Sequence, residues 1–132
     1  MTRIRRVPWV WVGLVVLLVA YAVLLAHNFA PAITEPDDNG YFAQGSLIAQ
    51  TGHTYFTTES DAQYIGMHWL VTPSDQYISR YPPGLAVLVA VIYKLEGWKA
   101  SLLVNPALSV LALVAVFLVG RRLTNGAWAL VA

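Results

Sequence analysis

WVWVGLVVLLVAYAVLLA, Trp9 to Ala26, is a run without a single charged residue. A bilayer core asks for about 20 mostly apolar residues in a helix, so this run is close to the length of one span. Trp9 and Trp11 stand at its start, where amphipathic rings favour the membrane interface. Arg3, Arg5 and Arg6 precede it. A secretory signal has the same order of parts, and Ala30-Pro31-Ala32 fits a cleavage site. The apolar part of a signal is only about 7–15 residues long, however, so the run reads as an uncleaved anchor.

The rest of the composition agrees. Of the 132 residues, 58% are hydrophobic and only 11% are charged. Soluble domains usually carry about 25% charged residues, so the chain reads as an all-α protein embedded in a membrane. The net charge of +1 gives no case for nucleic acid as a partner. Cysteine is absent, which excludes disulfides and cysteine-based zinc sites. His27, His53 and His68 lack metal-ligand spacing, so no metal and no cofactor is assigned. No internal repeat is visible.

A second span is expected over 101–120, ending at Arg121-Arg122. Asn105-Pro106 near its start should bend it or free a carbonyl. Positive charge collects on the cytoplasmic side of membranes. Residues 1–8 are therefore expected inside, 9–26 runs outward, 101–120 runs back, and a cytoplasmic turn follows at 121–126. Residues 27–100 then form an extracytoplasmic loop of a plasma-membrane or cytoplasmic-membrane protein. Asn125-Gly126 signals the turn, and 127–132 reads as the start of a truncated transmembrane helix, part of a longer chain.

Inside the loop two short helices are expected. PPGLAVLVAVIY (82–93) is apolar but too short for a core of about 30 Å at 1.5 Å per residue. It reads as an interfacial helix over about 82–95, opened by Pro82 and Pro83, with a tilted true span as the alternative. Residues 38–51 read as the other helix, with Asp37 or Asp38 at the N-cap. Tyr41, Gly45 and Ile48 recur at helical spacing beside Phe42 and Ala49, and Gly52 stands where a C-terminal glycine belongs.

The acids of that first helix can be read in two ways. They can cap it and complement its dipole without doing chemistry. Alternatively, carboxylates kept beside a bilayer mark a site. Arg80, before the rigid Pro-Pro, can snorkel to headgroups or hold a phosphate. Together the loop offers a carboxylate to accept a proton from an attacking hydroxyl and a cation to stabilise a departing lipid phosphate. Met67-His68-Trp69 reads as interfacial packing in preference to contact with an acceptor.

The ordered set of motifs resembles the N-terminal part of the GT-C membrane glycosyltransferases, above all the protein O-mannosyltransferase and lipid A aminoarabinose transferase branch. After a first span comes a Pro-acid-acid motif, here Pro36-Asp37-Asp38, then Tyr41 and a small helix ending at Gly52. Tyr81-Pro82-Pro83-Gly84 opens an apolar segment that closes near Gly97, and the next span ends in Arg121-Arg122. The likeness covers nearly the whole chain. It implies a lipid-phosphate-dependent, inverting transferase of which this chain is a fragment, inactive alone. It implies catalytic roles for Asp37 and Asp38: Asp37 activates or orients the acceptor, and Asp38, where many members have Glu, assists it or, as in some relatives, coordinates a divalent metal, for which the residues here give no support of their own. Arg80, Tyr41 and Tyr81 are the expected substrate-binding residues. Tyr81 stands where some members have lysine, so Arg80 would supply the charge. The implied partners are a polyprenyl-phosphate-linked sugar and a protein, lipid or glycan acceptor.

Two other readings of the residues stay open. One is a small non-catalytic membrane subunit or anchor whose outer loop binds a partner. The other is a piece of a flippase or transporter, which calls for ionisable groups inside the spans. Asn105 is the only strongly polar residue there.

Overall fold

The computed structural model describes residues 9–30, 33, 36–60, 66–124 and 127–131. Arg3, Arg5, Arg6, Glu35 and the Asn125-Gly126 turn lie outside the described residues. The chain is largely helical, with two long apolar helices joined by a region of short helices. It divides into two compact units, Met1–Ala30 with Asn105–Ala132, and Pro31–Val104.

In the first unit, α1 (Trp9–Asn28) is a 20-residue helix. At 1.5 Å per residue it is about 30 Å long, enough to cross a membrane. It is apolar on every side, and Val12, Val15, Val16, Val19, Val23 and Leu24 are exposed. A helix with no polar face and little protein cover suits a lipid environment. Its one buried residue is Leu14, which packs with Phe117 and Ala129. Val10, Leu18 and Leu130 close around that cluster. Phe117 belongs to α5 (Val104–Leu123), and Ala129 belongs to a 3-10 turn, Trp128–Leu130. Trp11 meets Phe117 edge-on at 5.5 Å, and the Arg121 guanidinium lies 4.6 Å from the centre of the Trp11 ring. The start of α1 and the end of α5 are therefore side by side.

The second long apolar stretch is Trp98–Leu123, 26 residues. It begins as α4 (Trp98–Ser101), turns at Leu102-Leu103 and continues as α5. The break is two residues upstream of Asn105-Pro106. Pro106 lacks the N–H that would bond back to the carbonyl of Leu102, so a continuous helix fails there. In α5 itself Pro106 falls in the first turn, where no intrahelical N–H is needed, so the bend expected near the start of the span takes the form of a break just ahead of it.

The second unit is built on α2 (Pro36–Thr51) and α3 (Pro83–Glu96), which pack against each other. α2 opens at Pro36, because a proline suits a first position whose N–H has no partner. Asp37 and Asp38 therefore lie in the first turn and do not occupy the N-cap. Gly52 ends the helix at φ 75°, and its N–H donates to the Ile48 carbonyl at 2.9 Å. The two helices meet at Gly45. A Cβ there would lie 2.5 Å from Val89 Cγ1 and 3.0 Å from the Ala86 carbonyl oxygen, so only a glycine allows this approach. Phe42 and Gln50 reach Tyr93, the latter through a 3.2 Å hydrogen bond to its hydroxyl.

Between α2 and α3 the region is not all helical. Three short strands, β1 (Tyr55–Phe56), β2 (Trp69–Val71) and β3 (Tyr77–Ser79), form an antiparallel sheet in the order β1-β3-β2. Tyr77 is the cross-strand partner of both Phe56 and Val71. Phe56 stacks on Tyr77 at 5.3 Å and meets Trp69 edge-on at 4.8 Å. Aromatic pairs of this kind add about 0.5–1.5 kcal/mol beyond the area they bury, which lets strands of two or three residues hold together. β2 and β3 form a hairpin over Thr72–Gln76. Its N–H groups are taken up by the Thr72 and Gln76 carbonyls, and Asp75 sits at φ 55°.

Candidate functional site

The hairpin decides where the expected site residues go. One rung beyond the sheet, the Arg80 N–H donates to the His68 carbonyl at 2.9 Å. This rung places His68, Arg80 and Tyr81 at the open end of the hairpin, immediately before the Pro82-Pro83 turn into α3. Arg80 is exposed, and its guanidinium donates to the Met67 carbonyl at 3.1 Å. Pro82 holds extended angles, φ −57° and ψ 137°, and with Pro83 gives this corner little freedom.

From this corner Tyr81 reaches the first turn of α2. Its hydroxyl donates to Asp37 Oδ1 at 2.5 Å, between residues 44 positions apart in the chain. Two features of α2 make room for the ring. Gly40, one turn along from Asp37, presents bare backbone: a Cβ there would overlap Tyr81 Cε2 and lie 2.8 Å from Cδ2. Tyr41 offers its own ring at 4.6 Å, tilted by 41°. Tyr81 thus lies over the start of α2, with its hydroxyl against the carboxylate.

The phenol responds to these neighbours. Tyr81 titrates above its ordinary value of 10.0. The main cause is the hydrogen bond to Asp37, followed by partial burial, the Asp37 charge and Tyr41. The Arg80 guanidinium pulls the other way, so its charge is felt at the same oxygen. The carboxylate and the phenol are therefore in direct contact, while the guanidinium of the preceding residue is bonded to the Met67 carbonyl and acts on the phenol through its charge.

The remaining expected residues divide. Tyr41 is half-buried beside Tyr81. Asp38 is exposed in the same first turn, one residue round the helix from Asp37, and makes no hydrogen bond among the described residues. Two further residues stand out: His68, read from the sequence as interfacial packing, and Gln44, which that reading passed over. His68 is half-buried, and its Nδ1 stands 3.2 Å from the Tyr81 hydroxyl. Gln44 shares a helical face with Asp37, two turns along. It is only 3% exposed, and its Oε1 has no hydrogen-bond partner among the described residues. The available signal for Gln44 was a polar residue between Tyr41 and Ile48 on an otherwise apolar stripe. His68 was read as packing in preference to acceptor contact, and its link to Tyr81 depends on the hairpin.

Among the described residues, no group of three or more His, Cys, Asp or Glu is placed to hold a metal ion. The first unit contains a recess of about 210 Å³ lined by Leu14, Leu17, Phe117 and Leu130 among others. Its lining side chains are all apolar, which suits no sugar or phosphate. No protein-family model, curated protein or solved structure matches the chain.

Proposed function

We propose that the chain carries the acid-bearing site of an integral membrane glycosyltransferase of the GT-C kind, one that moves a sugar from a polyprenyl phosphate to an extracytoplasmic acceptor. The observation that carries the reading is the hydrogen bond between Asp37 and Tyr81, the residue that follows Arg80 in the chain. The Pro-acid-acid and Tyr-Pro-Pro motifs are far apart in sequence, yet they join through a 2.5 Å hydrogen bond. The two long apolar helices and the Arg121 contact with Trp11 support a topology with both basic ends on the cytoplasmic side and the site on the other.

In the proposed reaction the acceptor hydroxyl meets the free oxygen of Asp37. Its proton passes to the carboxylate as its oxygen attacks the anomeric carbon from the face opposite the phosphate. The carbon–oxygen bond to the lipid phosphate breaks, and the electron pair leaves with the phosphate. The exposed Arg80 guanidinium receives the charge that develops there. Configuration at the sugar carbon inverts because a single displacement occurs. Tyr81 holds Asp37 by one oxygen, which fixes the direction of the other, and Tyr41 offers a ring face to the sugar.

The test is Asp37→Asn in the full-length protein, in its own membrane, with transfer from a polyprenyl-phosphate sugar as the readout. Loss of at least a hundredfold in kcat with normal insertion is expected, in keeping with about 10²–10⁴ for a general base. Undiminished transfer would reject the reading.

A further inference from the structure

The Tyr81 hydroxyl has two polar neighbours, and its hydrogen count constrains both. A phenol carries one hydrogen and acceptor lone pairs, whereas an ionised carboxylate only accepts. The Tyr81 hydrogen is committed to Asp37 Oδ1 at 2.5 Å. His68 Nδ1, 3.2 Å from the same oxygen, therefore faces a lone pair and has to bring a hydrogen of its own. A neutral imidazole has only one N–H. The hydrogen is then on Nδ1, and Nε2 carries the lone pair.

We propose that His68 is a positioning residue for the Tyr81–Asp37 pair, acting as an Nδ1–H donor that turns the phenol hydrogen onto Oδ1 and leaves Oδ2 of Asp37 to meet an acceptor hydroxyl. Three observations support this. The backbone rung between His68 and Arg80 fixes the spacing of the imidazole from Tyr81, since both are set by the same end of the hairpin. The two rings are 5.8 Å apart and tilted by 35°, so the imidazole has a side against the phenol as well as a nitrogen near its oxygen. Among the described residues, the Asp37 carboxylate makes no other hydrogen bond than the one at Oδ1. The direction of the chain of hydrogens, His68 to Tyr81 to Asp37, follows from the two contacts and from counting hydrogens on an ionised carboxylate, a phenol and a neutral imidazole. Only its catalytic consequence rests on the transferase reading.

The experiment uses the full chain in lipid nanodiscs, with ¹⁵N-labelled histidine and tyrosine labelled at Cζ. The variants are His68→Leu, His68→Asn and Tyr81→Phe, the last to assign the Tyr81 signal. At neutral pH the His68 Nδ1 should show the ¹⁵N shift of a protonated, pyrrole-like nitrogen and Nε2 that of a bare one. In His68→Leu the phenolate loses a donor, so Tyr81 should titrate higher still, by about half a pH unit for one modest hydrogen bond. In His68→Asn an amide N–H falls near the place of Nδ1, and the titration should return to that of the unmodified protein. Transfer should follow the same pattern: lower kcat at unchanged donor KM in His68→Leu, and recovery in His68→Asn. An Nε2–H tautomer in the unmodified protein, or a Tyr81 titration indifferent to His68→Leu, overturns the proposal. The tautomer is read without any variant and without turnover. Loss of the transferase reading through Asp37→Asn would therefore leave this result standing, and the reverse also holds.

Discussion

Gly40→Ala perturbs the site without touching any group that does chemistry. The added methyl would lie 2.8 Å from Tyr81 Cδ2 and 3.2 Å from Cζ, and it would overlap Cε2. Carbon atoms rest at about 3.5–4.0 Å, so the ring has to retreat by roughly 1 Å. The Tyr81 main chain cannot follow easily, because Pro82 comes next and Arg80 is pinned to His68. The ring swings instead, and its oxygen leaves Asp37. A retreat of about 1 Å stretches the 2.5 Å contact past the roughly 3.0 Å limit of an O–H···O bond. The hydrogen bond is the largest cause of the raised Tyr81 titration, so in Gly40→Ala the phenol should fall back toward its ordinary value of 10.0. Tyrosine Cζ shifts followed through an alkaline titration in nanodiscs read this directly, with Tyr81→Phe identifying the signal. A Tyr81 titration as high in Gly40→Ala as in the unmodified chain would mean that the glycine is not what admits the ring, and the packing argument would fail.

Three further outcomes are expected. Gly45→Ala puts a methyl against Val89 and the Ala86 carbonyl, and overpacking of this kind costs about 1–3 kcal/mol. Thermal unfolding in nanodiscs should show it as a lower midpoint, and an unchanged midpoint would contradict the close approach of α2 and α3. Gln44→Leu removes a buried, unpartnered oxygen at similar volume, so stability should rise by about 1 kcal/mol, and a fall would show that Oε1 meets a partner. The Tyr81 titration also sets a pH window. Its value is raised in the folded chain, so the folded state favours the neutral phenol. That contribution is whole below the ordinary value of 10.0 and is lost as pH rises through the raised one. The ring contact of Tyr81 with Tyr41, followed by NMR, should therefore persist through neutral and mildly alkaline pH, and its loss near pH 8 would refute the assignment.

The parts of the fold that were legible in the sequence are those set by local rules. An uncharged run such as 9–26 has few ways to be satisfied, and a helix of about 20 residues is one of them. The Pro82-Pro83 pair and Gly52 are punctuation that works through one residue's own backbone angles. The sheet was not legible for a physical reason. Its strands are two or three residues long, too short to show alternation. They are held by the contacts of Phe56, Trp69 and Tyr77, which come from three separate stretches. Pro106 was expected to bend the span near its start or free a carbonyl; with α5 opening at Val104 the same residue accounts for the break at Leu102-Leu103.

The site shows the same division. Asp37, Arg80 and Tyr81 could each be singled out by chemical type and neighbours, but the bond between Asp37 and Tyr81 spans 44 residues and depends on the hairpin. That hairpin explains why tyrosine works at position 81. A tyrosine there lies over Gly40 and puts a hydrogen, not a charge, on Asp37, while the neighbouring Arg80 keeps its guanidinium exposed. A lysine in its place would set a full positive charge beside the carboxylate, and Arg80 would then be a second cation at the same corner. The phenol separates the two tasks. It holds the Asp37 carboxylate without neutralising it, and it leaves the cation to the residue before it. Holding those two residues in register is the work of the Arg80–His68 rung, so the small sheet positions Arg80 and Tyr81 of the proposed site even though neither lies within its strands.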